Sequence, residues 1–406
     1  MKLTISMKWI ICSVLAGIIV GLAASLFYYS MNTVTGLRLN HPWLLYLLPF
    51  SGLFIVWMYH LMHLYKDTGT NNVISAIHSE EKLPLQLAPL IFFGTSITHL
   101  FGGSAGREGA ALQLGGSIGN YLGQLFRFDK KDQKVMIMCG MSAAFSALFG
   151  TPMAAAFFSM EVVSVGVIYY VALLPCVISA LIAHFIAIYF GFHPELFLLA
   201  AIPDFGLRPA VTIIILALLC VLVSAVFCKI LHLTSHGFQK IFANPYLRVF
   251  IGGCLVVLMT LLVGSRDYNG TGITIIEKAL ANQVVPGAFL LKMIFTAVTL
   301  GSGFKGGEVV PSLFVGSTFG CLCGQFLGFS PALCAAVGMT SVFCGVTNCP
   351  IASLLISFEL FGYDGMPYFL LAIAFSYMFS GYCGLYDSQK IMYSKYHTRY
   401  INKKAH

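Results

Sequence analysis

The stretch "GMSAAFSALFGTPMAAAFFSMEV" (140–162) has a counterpart in "GMTSVFCGVTNCPIASLLISFEL" (338–360), and the two align without a gap. The alignment superposes Gly140 on Gly338, Phe145 on Phe343, Pro152 on Pro350, Ser159 on Ser357 and Glu161 on Glu359. The same spacing sets "GSAGREG" (103–109) against "GSGFKGG" (301–307), and further on "LQLGGSIGNYLGQ" against "LFVGSTFGCLCGQ". The chain is therefore an internal duplication, with its glycine-rich loops at equivalent places. Repeats of this kind in membrane transporters commonly have inverted topology, with broken helices of each half meeting at a midplane binding site. Glycine and proline interruptions at 103–109, 150–152, 301–311 and 348–350 fit such breaks.

Composition places the repeats in a bilayer. The 406 residues are 58% hydrophobic and 9% charged, and the mean hydropathy is +0.86, too apolar for a soluble domain of this size. Apolar runs of spanning length recur, at 9–31, 211–231 and 369–386 among others. The expected fold is an all-α polytopic membrane protein built as two inverted repeats of tilted and broken helices. It forms one transmembrane domain over 1–406, with repeats at roughly 1–200 and 201–395 and no cytosolic regulatory domain. The longest polar connectors, "HSEEKLP" and "RFDKKDQK", read as short loops.

The first apolar run follows Lys2 and Lys8 like a signal peptide, but it is long and lacks a small-x-small cleavage site, so it reads as a retained helix. The net charge of +8 has contributions from those lysines and from "KYHTRYINKK" (395–404). By the positive-inside tendency both termini are expected on the cytoplasmic side of a cell membrane. The scattered charges form no patch for nucleic acid. Twelve cysteines lie dispersed in apolar segments and read as small buried hydrophobes. Eleven histidines form no H-x-x-x-H or H-E-x-x-H pattern, so no metal site or other cofactor is expected.

Three polar interruptions carry the chemistry. In "GSAGREGA" the glycines let backbone N–H groups converge, and a helix starting there adds its positive end, which makes Gly106, Arg107 and their neighbours an anion site. Glu108 lies beside that site. Ionised, its carboxylate can occupy the anion position; protonated, it can leave, so anion entry and proton uptake become mutually dependent. Intramembrane carboxylates are functional candidates by default. The alternative is a plain ion pair with Arg107, which adjacent residues of a helix, pointing in different directions, disfavour. "GFKGGEVVPSLFVG" (303–316) is the second half's version of the device. Gly307, Glu308, Val309 and Val310 direct N–H groups at the ion from the opposite side, with Pro311 in the first helical turn; Glu308 has helix capping as its other reading. In "DTGTNNVI" (67–74), Asn71 and Asn72 are candidate side-chain donors or helix caps. Glu161 and Glu359, duplicated at the ends of apolar segments, read as structural, satisfying backbone groups beside the Pro152 and Pro350 breaks. Tyr386 in "GYCGLYD" taken by itself reads as an interface anchor.

Together "GREG", the 140–162 repeat and "GGEVVP" give a chain that resembles the CLC chloride channel and transporter family over nearly its whole length. The resemblance implies a homodimer with a separate pathway in each subunit and both termini cytoplasmic. It further implies that Glu108 is the external gating glutamate, that amides near Glu308 to Val310 line the central anion site, and that the Tyr386 hydroxyl faces it. Phe314 completes the candidate anion-lining set. Where chloride-selective members carry G-S-G-I-P, this chain reads "TGTNNVI". Together with "GFKGGEV" this is similar to the fluoride-exporting branch. Chloride/proton exchangers often carry two glutamates at the end of the first repeat, whereas Glu161 is followed by Val162. Val310 stands where the fluoride branch has threonine. The expected function is export of fluoride in exchange for protons. The alternatives are a chloride/proton antiporter, a less selective halide transporter or a passive anion channel. An enzyme is not expected, because no nucleophile–base pair or metal motif is present. Expected partners are fluoride, with chloride as the other candidate, protons, membrane lipid and a second copy of the chain.

Overall fold

Breaks at Gly102–Arg107 and Gly303–Glu308 divide each half into helices of matched length. A computed structural model describes residues 2–64, 67–79, 83–192, 196–197, 199 and 202–405. The repeat boundary expected near residue 200, and Glu80 to Lys82 of the "HSEEKLP" connector, lie outside the described residues. The first eight helices are α1 (Lys2–Asn40), α2 (Leu48–Leu61), α3 (Thr70–His78), α4 (Leu87–Leu100), α5 (Glu108–Leu125), α6 (Lys130–Phe149), α7 (Pro152–Glu161) and α8 (Leu173–Tyr189). Eight more follow in the same order: α9 (Leu207–Ile241), α10 (Pro245–Val263), α11 (Ile273–Leu280), α12 (Ala288–Ser302), α13 (Val309–Leu327), α14 (Pro331–Thr347), α15 (Pro350–Phe361) and α16 (Met366–Phe379). The long α1 and α9 open their series with 39 and 35 residues, and the short α3 and α11 have nine and eight. Six described helical segments are long and apolar enough to cross a membrane.

Local chemistry sets the breaks. Helix α6 ends on Gly150 at φ 77° and α14 on Asn348 at φ 59°, the left-handed conformation that glycine and asparagine tolerate best. Pro152 and Pro350 then start α7 and α15, where a missing N–H removes no helical bond. Helix α5 lies on α6 at backbone contact: a Cβ added to Gly140 would stand 2.0 Å from Gly115 O. The second half repeats this, with a Cβ on Gly338 2.4 Å from Gly316 O. Close approach of small residues gives dispersion contacts where lipid offers no hydrophobic drive between helices.

The halves exchange contacts in pairs. Gly106 N donates to Gly307 O (2.6 Å) and Gly307 N to Gly106 O (2.8 Å), an antiparallel bridge that joins the two glycine-rich loops. The Glu161 carboxylate at the end of α7 accepts from Ile351 N (3.2 Å) and Ala352 N (2.9 Å) at the start of α15. Glu359, at the corresponding place in α15, accepts from Met153 N and Ala154 N of α7, both at 2.9 Å. The structural role expected for these glutamates is thus present, and each serves the other half's proline break.

Two segments differ from expectation. The apolar run 369–386 is not one helix: α16 stops at Phe379, and Gly381 at φ 63° begins a turn that carries Tyr386. The basic tail forms strands β2 (Lys390–Tyr393) and β3 (Tyr400–Lys404), and β2 also pairs with β1 (Ser164–Val165) after α7. All twelve cysteines are free thiols, buried apart from Cys254 and the half-buried Cys383.

Candidate functional site

Three helix N-termini meet at Gly109. A Cβ placed there would stand 2.8 Å from Gly307 Cα, 3.0 Å from Thr70 Oγ1 and 3.5 Å from Glu308 Oε2, so the starts of α3, α5 and α13 lie within contact of one another. In α5 the first intrahelical bond runs from Ala111 N to Arg107 O (3.0 Å), and in α13 from Ser312 N to Glu308 O (3.1 Å). The amides of Glu108, Gly109, Ala110, Val309 and Val310 precede those bonds and have no partner within their own helices. Each end also carries a partial positive charge. Three such ends at one point favour an anion.

Glu108 is wholly buried. Its Oε2 accepts from Arg107 N (3.0 Å), and Oε1 lies 3.4 Å from Arg107 Nε. The Arg107–Glu108 contact disfavoured from sequence is therefore present. Arg107 is the residue before α5, at φ −106°, so the divergence of neighbouring side chains within a helix does not apply to it. Its guanidinium also reaches Leu148 O at 3.5 Å and stands 5.3 Å from the centre of the Tyr28 ring.

The two glutamates face different cavities. Glu108 and Arg107 border a small one of about 10 Å³ whose other walls are apolar, among them Phe149, Phe197, Val310 and Met339. That is near the space one water needs. Glu308, which precedes α13 without capping it through its side chain, borders a cavity of about 510 Å³ shared with Thr70, Asn71, Gln113, Lys305 and Arg248. His236, Gln239 and Asp387 on the wall of that cavity are exposed.

Tyr386 is wholly buried within electrostatic reach of Glu308 and Glu108. Its Oη has no hydrogen-bond partner among the described residues, and neither do Thr70 Oγ1 and Gln113 Oε1. Buried polar atoms normally find partners, and here Thr70 Oγ1 lies beside the meeting point of the helix ends.

The structure brings together Glu108, Gly106, Arg107, Gly307, Glu308, Val309 and Val310, with Tyr386 near both carboxylates. It places the remaining candidates differently. Asn71 lines the large cavity, but its Oδ1 accepts from Ser388 N at 3.0 Å. Asn72 accepts from Thr68 N (3.2 Å) and Thr68 Oγ1 (2.6 Å) and donates to Asp67. Gly69, not an asparagine, stands at the cap of α3. The Phe314 ring packs on Gly272 and under Lys292 Nζ, 5.4 Å from the ring centre, outside the lining of both cavities.

Sequence reasoning missed Thr70, Gln113 and the Asp67–Lys305 pair. Lys305 Nζ meets the nearly buried Asp67 carboxylate and stands 4.1 Å from the centre of the Tyr59 ring. Asp67 Oδ1 also accepts from Gly69 N at 3.2 Å. One ion pair thus ties the approach to α3 to the loop before α13. The signal was present in the charged residues of "DTGTNN" and "GFKGG", but only the fold shows that they meet.

A family model for the voltage gated chloride channel matches residues 51–381. A chloride/fluoride channel protein of Pseudomonas syringae pv. tomato is 34% identical over 397 residues, 96% of this chain and 88% of that protein. The crystal structure of a CLC-type fluoride/proton antiporter superposes with a TM-score of 0.91 at 32% identity, covering 94% of this chain and 98% of the other. A slow cyanobacterial Cl−/H+ antiporter shares the fold at a TM-score of 0.77 and 19% identity, covering 91% of this chain and 93% of its own.

Proposed function

The chain belongs to the voltage-gated chloride channel family of multi-pass membrane proteins, and on that premise we propose that it exports fluoride in exchange for protons. The observation that carries this reading is the meeting of three helix N-termini at Gly109, beside the buried carboxylate of Glu108 and the half-buried carboxylate of Glu308. Fluoride is small and strongly hydrated, so a site must replace its water with closely set donors, and hydrogen bonds to an ion are the strong ones. The first amides of α5 and α13 are such donors, with the Thr70 hydroxyl beside them. Similarity to proteins described as a fluoride/proton antiporter and a chloride/fluoride channel supports fluoride as the ion.

In the proposed cycle, ionised Glu108 competes with fluoride for the amides because two anions at one point repel. Protonation removes that competition and lets fluoride enter, so each proton brought by Glu108 is linked to fluoride moving the other way. An inward proton gradient then drives efflux. With the amino terminus cytoplasmic, α1 runs outward and α2 returns. The large cavity, bordered by Tyr59 and His60 near the end of α2, then lies toward the cytoplasm, and Glu308 receives protons from its water without a relay after Glu161. The working unit is a homodimer with one pathway in each subunit.

Reconstitution in liposomes tests the reading. Under an imposed gradient, fluoride efflux should acidify the lumen, with little chloride efflux. A second reading, a less selective halide exchanger, is favoured by Val310, which puts a methyl where a hydroxyl could reach the small cavity beside Glu108. Comparable coupled chloride flux would select it.

A further inference from the structure

The turn from Cys383 to Gln389 carries Tyr386 and is held at almost every residue except the tyrosine ring itself. Asn348, the residue after α14, donates from Nδ2 to Cys383 O (3.0 Å) and to Gln389 Oε1 (3.1 Å). His232 Nε2 in α9 donates to Gly384 O at 2.9 Å, and Leu385 N donates to Val346 O at 2.8 Å. Asn71 Oδ1 in α3 accepts from Ser388 N at 3.0 Å, beside a 2.7 Å contact between the Ser75 and Ser388 hydroxyls. Gln389, wholly buried, donates from Nε2 to Val162 O (2.9 Å) and Thr347 O (2.8 Å). Its backbone N closes the turn on Tyr386 O at 2.9 Å. Lys395 Nζ in turn holds Asn348 Oδ1 at 2.5 Å.

Three amide side chains therefore tie the turn to three places: Asn71 to the start of α3, Asn348 to the end of α14, and Gln389 to the ends of α7 and α14. The Tyr386 hydroxyl has no partner of its own among the described residues. Its position is set by the backbone turn and by packing, and a donor that meets an ion must be held to within roughly 0.5 Å of its productive place. The amides at Cys383, Ser388 and Gln389 are the contacts that set it.

We propose that Asn71, Asn348 and Gln389 are positioning residues that aim Tyr386 at the ion path and thereby set fluoride affinity without touching the ion. This rests on the reading that Tyr386 faces fluoride. It also gives Asn71 a different duty from the direct donor expected of it: its acceptor oxygen holds the tyrosine's turn.

The test combines a kinetic cycle with hydrogen exchange on the full chain in detergent and in liposomes. Asn71→Ala and Gln389→Ala are each made in the wild-type and the Tyr386→Phe background. Asn71 sits on a cavity wall, so its variant remains informative if the buried Gln389 change prevents folding. Each single variant should raise the fluoride KM roughly three- to tenfold, the size of one net hydrogen bond, with a smaller change in turnover. In the Tyr386→Phe background neither should raise it further. Amide exchange at Leu385 and Ser388 should speed up in both variants. An equal rise in KM in both backgrounds overturns the proposal, as does unchanged exchange in the turn. If Tyr386→Phe alone leaves KM unchanged while exchange still rises in Asn71→Ala, the reading of Tyr386 as a fluoride contact fails and the clamp is structural only.

Discussion

Glu161 and Glu359 cap each other's helices: the carboxylate ending α7 receives the first amides of α15, and the carboxylate ending α15 receives those of α7. The exchange places both negative charges at helix N-termini, where dipole and free N–H groups favour them.

Replacing either glutamate by glutamine leaves one acceptor oxygen and removes the charge. Glu161→Gln and Glu359→Gln should each lower stability by about 1.5–3 kcal/mol, the worth of a charged hydrogen bond. Proton coupling should persist, since neither group borders the two cavities. Thermal unfolding in detergent, paired with a flux assay, checks both halves; unchanged melting with lost coupling would move Glu161 into the proton route.

Gly140→Ala sets a methyl against Gly115 O, a backbone atom that cannot rotate away. The expected loss is at the upper end of the roughly 1–3 kcal/mol of ordinary overpacking. Gly338→Ala should do the same against Gly316 O. Melting temperatures of the two variants measure this, and wild-type stability in either would mean that the helices separate freely.

These residues also show what could be read from the chain alone. The repeat was legible because Gly140/Gly338, Pro152/Pro350 and Glu161/Glu359 each meet a backbone demand that few residue types satisfy. The convergence of "GREG" and "GGEV" followed from it. Which residue of "TGTNN" reaches the meeting point of the helix ends was not legible, because successive helical positions are turned by about 100° and the start of α3 is fixed by Gly69 and the Asp67–Lys305 pair. The packing of the Phe314 ring on Gly272 was hidden for the same reason. The turn after α16 was hidden by its apolar composition, and the tail hairpin by its charge.

Lys395 lies in the tail, and burial pulls its amine down to about 8. The charged form is disfavoured in the folded state relative to the unfolded chain, where the ordinary value is near 10.4. That penalty is fully present below pH 8. Between about 8 and 10.4 the unfolded chain binds the extra proton, so this group makes stability rise with pH across that window. Lys395→Met should lack this rise. Melting curves from pH 7 to 10.5 for the two proteins should diverge, and parallel curves would show that Lys395 titrates alike in both states.

Val310 borders the small cavity beside Glu108. Val310→Thr keeps the shape and adds a hydroxyl, so fluoride over chloride selectivity should rise roughly three- to tenfold. Flux ratios from ion-selective electrodes decide this; an unchanged ratio would put selectivity on the amides and on Thr70 instead.

In the proposed cycle Glu108 links anion and proton movement. The most direct measurement follows fluoride efflux and luminal pH together in liposomes holding wild type or Glu108→Gln, with an imposed fluoride gradient. Wild-type efflux should be matched by proton uptake, and the variant should pass fluoride with no proton movement or cease to transport. Proton uptake that still tracks fluoride in Glu108→Gln would contradict that cycle.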